Sequence, residues 1–401
     1  MNQNPIKQYY FITLLLFAIA CFLGACKEQL PKPIAASTST TGKTDSIVVK
    51  DTLPSFNSPA GIAIDGTGNL YVADYGNNLI RKITPGGLVS TFAGSGSQGA
   101  TNGAANLATF NEPASIAVDA SGNLYVADAG NNRIRKISAA GMVSTLAGSD
   151  STGSVNGPAA GSSFFHPVGV TADGSGNVYV ADAGNNMIRL ITSAGMVSTF
   201  AGNGNTGASN GTLTSTSFSN PTGVAVDIAG NIFVANYLNN NILKINQAGT
   251  VNLLAGTGQP GANNGPDSLA TFYYPNSVAV DAADNVYVAD GVNNLIRKIT
   301  PAGMVTTLAG SGLAGSIDST GTAASFNGPG GLAVDAAGNV YVADTNNNLI
   351  RKITAAGVVT TIAGIGSAGA KNGLAVAYRN KIPLKNTSKS RFNIFYKPKL
   401  N

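Results

Sequence analysis

The 401 residues include one histidine, two cysteines and no tryptophan, and only 11% of them are charged. A single His leaves little room for multi-His metal chemistry. Two cysteines, Cys21 and Cys26, supply no framework for intradomain disulfides or a Cys-based zinc site. Low charge combined with 43% hydrophobic residues excludes a disordered acidic or basic chain. No apolar stripe of 3.6-residue period runs for a useful length, so helices should be nearly absent. The Gly-rich stretches are not phosphate loops, because no helix follows to present its N-terminus to an anion. What the chain has in excess is glycine. Fifty Gly and 17 Pro without a collagen triplet point to a turn-dense β protein.

Internal repetition sets the architecture. Pro59, Pro113, Pro167, Pro221, Pro275 and Pro329 are each 54 residues apart. The same spacing holds for Asp65, Asp119, Asp173, Asp227, Asp281 and Asp335, and for the Asn pairs beginning at Asn77, Asn131, Asn185, Asn239, Asn293 and Asn347. In the first copy, residues 61–64, 69–73, 79–83 and 88–93 alternate β-branched, aliphatic and aromatic residues between Gly, Asn and Pro turns, which is the signal of four strands. Four-stranded units at a fixed period predict an all-β fold, a β-propeller, because a lone meander cannot cover both its faces and radial packing can. A β-solenoid is the competitor, but its rungs are much shorter. Six units between residues 53 and 376 predict six four-stranded antiparallel blades. Each copy supplies its own outer strand, so none is expected to be borrowed from the far terminus.

The repeat also resembles the NHL family, as in Gly122-Asn123-Leu124-Tyr125-Val126-Ala127-Asp128 followed by Gly130-Asn131-Asn132-Arg133-Ile134, with Asn-Asn-Leu or a variant in place of Asn-His-Leu. The resemblance implies the propeller. It says little about function, since related propellers include RNA-binding, protein-binding, sensor and lyase members.

Residues 9–25 form a 17-residue, almost wholly apolar run closed by Leu23-Gly24-Ala25-Cys26. This resembles the lipobox of bacterial lipoproteins and implies a signal peptide over 1–25, lipidation of Cys26, and a location in the bacterial cell envelope, on the periplasmic side or the cell surface. Residues 26–52 are rich in Lys, Pro, Ser and Thr and read as a flexible tether, with Ile47-Val48-Val49 as its β-prone patch. Residues 377–401 carry seven basic residues and no acid, and abandon the repeat, as a basic tail or a truncated seventh unit. Residues 53–376 hold 12 basic and 16 acidic residues. A mildly acidic ring argues against a nucleic-acid partner.

Asp74, Asp128, Asp182, Asp290 and Asp344 end the second strand, and Arg81, Arg135, Arg189, Arg297 and Arg351 follow seven residues later; the fourth copy has Asn236 and Leu243 instead. Joint loss of both partners reads as an Asp–Arg bridge bracing the turn, since one without the other would be an unpaired buried charge. A ring of Asp at the channel mouth, binding a cation such as calcium or sugar hydroxyls, is the functional alternative; no cofactor is required by the residues. The recurring Asn-Gly pairs at Asn156, Asn210, Asn264 and Asn372, with Asp318-Ser319 as a variant, read as tight turns. The long loops that carry them are expected to enlarge the ligand-facing rim. Function is expected where one copy departs from the rest: Asn236 and Tyr237 in the fourth copy, His166 in the third, and Tyr273 and Tyr274 in the fifth. Tyr and Asn side chains suit a glycan, peptide or protein ligand. The alternatives are a propeller enzyme, a lyase or lactone hydrolase with a channel metal, and a purely structural surface or adhesion scaffold. No convergent catalytic set is present, so binding is read ahead of catalysis.

Overall fold

The computed structural model describes residues 53–149, 151–207 and 209–375. The signal peptide, Cys26, the tether, the Ile47-Val48-Val49 patch and the basic tail lie outside the described residues. The described chain forms six antiparallel sheets, one per repeat, arranged as the blades of a six-bladed propeller.

In the first blade β1 (Pro59–Ile64), β2 (Leu70–Asp74), β3 (Leu79–Ile83) and β4 (Leu88–Ala93) run from the axis outward. Gly and Asn place the turns. Asp65 accepts the backbone N–H groups of Thr67 and Asn69 at 2.9 Å each, closing the turn from β1 to β2. A three-residue 3-10 turn, Tyr75–Asn77, then leads to Asn78 at φ 55°, a left-handed conformation that Asn tolerates better than most residues. Every other blade repeats this plan, with an ordinary turn in place of the 3-10 turn in the fifth.

Six apolar clusters sit between neighbouring blades, and each contains one of the fully buried phenylalanines Phe56, Phe110, Phe164, Phe218, Phe272 and Phe326. Burying a side chain of this size contributes about 1.5–3 kcal/mol, so each interface has one dominant anchor. The cluster of Phe56, Val72 and Ile83 with Ala343 and Ile350 joins the last blade to the first. Close approach of the innermost strands demands small residues: a Cβ on Gly331 would lie 2.5 Å from the Ala60 carbonyl oxygen and 2.8 Å from the Gly61 Cα.

The structure corrects two expectations about the long loops. After β4 the chain does not stay at the rim. It crosses to the outer edge of the second blade, where Gly103–Ala104 pairs with Val143 and Met142 as a fifth strand. The second to fifth blades all receive such a strand from the repeat before them. In the sixth blade a single bridge, Thr320 to Val358, takes its place. The first blade therefore does borrow from the far end of the ring: Gly373–Leu374 pairs antiparallel with Val89 and Leu88 of β4. Four strands per repeat is right, but a sheet edge left open would expose unpaired backbone groups, and the preceding loop covers it.

Candidate functional site

The Asn pair that closes the turn between the second and third strands stitches three blades together. The first Asn reaches backward: Asn131 Nδ2 donates to the Gly99 carbonyl at 2.7 Å and to Asp128 Oδ2 at 2.8 Å. The second reaches forward: Asn132 Oδ1 accepts the His166 backbone N–H at 2.7 Å. The same forward bond links Asn78 to Glu112, Asn186 to Asn220, Asn240 to Tyr274, Asn294 to Gly328 and, across the closure, Asn348 to Ser58.

Behind these pairs lie the acid–base partners. Asp74, Asp128, Asp182, Asp290 and Asp344 stand 2.7–2.9 Å from Arg81, Arg135, Arg189, Arg297 and Arg351, and all ten side chains are fully buried. Burial pushes each of these carboxyls up, against the pull of a backbone N–H, an Asn and the Arg. The carboxylates are therefore consumed inside the blades and form no ring at the channel mouth. Each guanidinium lies 5.1–5.3 Å from the centroid of its own repeat's anchoring Phe. Its other nitrogen donates into the preceding repeat's loop: Arg135 reaches the Thr101 carbonyl at 3.0 Å and Asn102 Oδ1 at 2.8 Å. The Asn of Asn-Gly is thus an Arg acceptor as well as a turn residue. Asn156, Asn264 and Asn372 serve Arg189, Arg297 and Arg81 in the same way, and Asp318 bonds Arg351 at 2.7 Å.

The fourth blade departs from this plan. Asn236 occupies the Asp slot and its Oδ1 accepts the Ser219 N–H at 2.7 Å, while Leu243 replaces the Arg. Asn236 is fully buried inside the blade, so it does not present its side chain to the ligand-facing surface as expected. Its Nδ2 and the Asn241 Oδ1 are buried without hydrogen-bond partners.

The axis encloses a channel of about 770 Å³, walled by the innermost strands of all six blades. Two aliphatic rings line its depth: Ile62, Ile116, Val170, Val224, Val278 and Leu332, then Ile64, Val118, Ala172, Val226, Val280 and Val334, with one alanine among them. The end nearest the 3-10 turns is different. Tyr75, His166, Tyr237, Asn276, Asn294, Asn327, Thr345 and Asn346 converge there. Among the lining residues there is no Lys, Arg, Asp or Glu.

Of the expected ligand-face residues, Tyr237, Tyr273 and Tyr274 form one group. Tyr237 stacks on Tyr274 with ring centroids 4.7 Å apart and planes 17° apart, and Tyr273 lies 4.7 Å from Tyr274 at a 49° tilt. Burial, then the neighbouring Tyr274 and Tyr273, raise the Tyr237 phenol. His166 is exposed at the same mouth, on the third blade. Tyr75 was not singled out from the sequence; burial and a hydrogen bond with Glu112 push its phenol up to about 12. A position-by-position comparison carries the signal that finds it. The residue after the strand-end Asp or Asn is Tyr75, Ala129, Ala183, Tyr237, Gly291 or Thr345, while the Asn two and three places further on never change. Among the described residues no group of three or more His, Cys, Asp or Glu stands close enough to hold a metal ion.

The sequence profile of the NHL repeat matches residues 56–83, 110–137, 272–299 and 326–353. The chain is 33% identical over 324 residues to the chloroplastic protein Suppressor of quenching 1 of Arabidopsis thaliana, a match covering 74% of this chain and 30% of that one. It is 29% identical over 344 residues to NHL repeat-containing protein 2 of Bos taurus, covering 75% of this chain and 47% of that protein. The chain thus spans less than half the length of these relatives. Among solved structures, a protein of unknown function from Bacteroides thetaiotaomicron is similar with a TM-score of 0.57 at 20% identity, covering 74% of this chain and 69% of that one. An auxiliary nutrient binding protein from the same organism gives 0.56 at 16% identity over 77% and 70% of the two chains. A streptogramin B lyase gives 0.50 at 16% identity over 78% and 85%. At these identities the solved structures speak for the fold alone. The chain carries NHL repeats, and they build a six-bladed β-propeller.

Proposed function

We propose that this propeller binds a ligand at the channel mouth beside the 3-10 turns, and that it does so from the cell envelope, held to a membrane through a lipidated Cys26. One observation carries the binding site. Directly before the first Pro of each repeat the backbone is left-handed, with φ between 49° and 56°, and the six residues there are Ser58, Glu112, His166, Asn220, Tyr274 and Gly328. The frame that holds them is the same Asn in every copy. Left-handed geometry costs an ordinary side chain about 1–2 kcal/mol, so a purely structural position would favour Gly or Asn throughout. Glu, His and Tyr stand there against that cost, and all six residues differ. Such variety on an invariant frame is what a one-sided ligand requires of a symmetric ring.

A mouth of aromatic and amide side chains above an aliphatic channel suits binding better than catalysis. The test is a thermal-shift screen of small metabolites, oligosaccharides and peptides against the full chain, with and without EDTA. Hits should be lost in Tyr237→Ala and kept in Ile228→Ser, which alters a fully exposed residue in the turn at the opposite end of the fourth blade. Hits that survive Tyr237→Ala and vanish in Ile228→Ser would place the function elsewhere. The anchor is tested separately: Cys26→Ser should move the protein from the membrane to the soluble fraction, and unchanged retention would rule lipidation out.

A further inference from the structure

From the chemistry of the mouth we infer that its ligand is a neutral sugar, a pyranose ring of a glycan seated against the Tyr237–Tyr274 pair; this rests on the ligand-site reading above. Charge decides the class first. The cavity of about 770 Å³ is lined without Lys, Arg, Asp or Glu, and the rim's Glu112 is engaged by the Tyr75 hydroxyl. A phosphate, a nucleic acid or an acidic peptide would lose its hydration there and gain no counter-charge. An uncharged ligand loses far less.

Polarity decides next. A purely apolar ligand would cover the amide atoms of the mouth that the frame does not use, at a cost. Asn276 spends its Nδ2 on the Pro329 carbonyl at 2.9 Å, which leaves its Oδ1 to accept from a ligand, and Asn346 lines the same opening; Asn294 is spent on the frame, its Oδ1 on the Gly328 N–H. Amides both donate and accept, which is what a set of hydroxyl groups demands. Beside them stands an aromatic surface. Tyr237 comes from the turn of the fourth blade and Tyr274 from the entry of the fifth, and the two rings stack face to face, so that Tyr274 backs and fixes the Tyr237 ring. Tyr237 belongs to the channel lining, so this unit borders the cavity. A pyranose has the matching shape, with an apolar C–H face for the ring system and a hydroxyl edge for the amides. A peptide offers no such flat apolar face without an aromatic side chain of its own.

The absence of tryptophan makes tyrosine the emitting residue, so sugar stacking is readable by intrinsic fluorescence. The full chain is titrated with cellohexaose, maltohexaose, xylohexaose and chitohexaose, with oligogalacturonate as the acidic control and a pool of uncharged hexapeptides as the competing class, and affinities are confirmed by calorimetry. At least one neutral sugar should bind, with Tyr237→Ala weakening it about ten-fold or more and Tyr237→Phe within about three-fold, as expected if the ring face carries the contact. Its affinity should change less than about two-fold across a ten-fold range of salt, because no charge is paired. Binding by no neutral sugar, preference for oligogalacturonate, or indifference to Tyr237→Ala would overturn the inference. Tyr237-dependent binding of the hexapeptides alone would overturn the sugar class and leave the ligand site standing. Binding that ignores both Tyr237→Ala and His166→Ala would overturn the two together.

Discussion

Asn348 Oδ1 accepts the backbone N–H of Ser58 at 2.8 Å across 290 residues of sequence, and the bond has the same geometry as the one from Asn132 to His166 inside the chain. The ring therefore closes with the joint it uses everywhere else. Beside the Phe56 cluster, residues 368–375 add further closing contacts: the Gly373–Leu374 strand on β4, the Phe56–Ala368 bridge, and the Arg81 bonds to the Lys371 carbonyl and Asn372 Oδ1 at 2.8 and 2.9 Å.

Truncation should divide at this segment. Deleting residues 377–401 should leave the melting temperature within a few degrees, because every closing contact described ends by Ala375. Deleting 365–401 removes both acceptors of the Arg81 Nη2 group and the first blade's edge strand. It should cost several kcal/mol and broaden the unfolding transition. Equal melting temperatures for the two truncations would mean that the closure contributes little.

The Asp–Arg pairs should behave as units. Asp128→Ala or Arg135→Ala should each destabilise by about 3–5 kcal/mol, and the double substitution by clearly less than their sum, since the second change removes the charge that the first left unpaired. Denaturant titration of the cycle measures this. The fourth blade supplies the converse: Asn236→Asp alone should destabilise, and adding Leu243→Arg should recover part of the loss.

Much of this was legible in the sequence. The unbroken 54-residue register gives the blades, and the common loss of acid and base in the fourth copy points to their pairing. What stayed hidden lies between repeats. Asn102 reads as a turn residue because its partner, Arg135, stands 33 positions later in the next copy, and a repeat aligned on itself shows residues of one blade together. The closing strand was obscured in the same way: the loop before Gly373 looks like any other, and its partner is β4 at the opposite end of the chain. Tyr237 and Tyr274 stood out as departures, but their stacking also crosses a blade boundary.

Alkaline stability should depend on the tyrosines over the turn acids. Tyr125 donates to Asp119 at 3.0 Å, with Lys136 over its ring, and burial, then that hydrogen bond, push its phenol up to about 12; Tyr71 is raised to the same value. A phenol raised on folding keeps its proton while the unfolded chain, with the ordinary phenol value of 10.0, loses it. The stabilisation is therefore full below pH 10 and is lost as pH rises through the folded value. Tyr125→Phe should flatten part of the fall in stability between pH 10 and 12, measured by urea unfolding at each pH. An unchanged slope would show that the phenol titrates alike in both states.

His166→Gly should separate stability from binding. His166 is exposed and left-handed at φ 49°, so glycine relieves backbone strain there at little loss of packing. Stability should be unchanged or rise by up to about 1 kcal/mol, while affinity at the mouth falls. A loss of stability of that size would mean that the imidazole is structural.

The most direct measurement is a hydrogen-exchange footprint of the full chain with and without the tightest-binding neutral oligosaccharide. Protection should concentrate in residues 75–78, 237–240 and 273–276, where the turns and strand entries frame the mouth. Protection confined to the opposite turns, at 65–69, 227–231 and 281–285, would contradict the account.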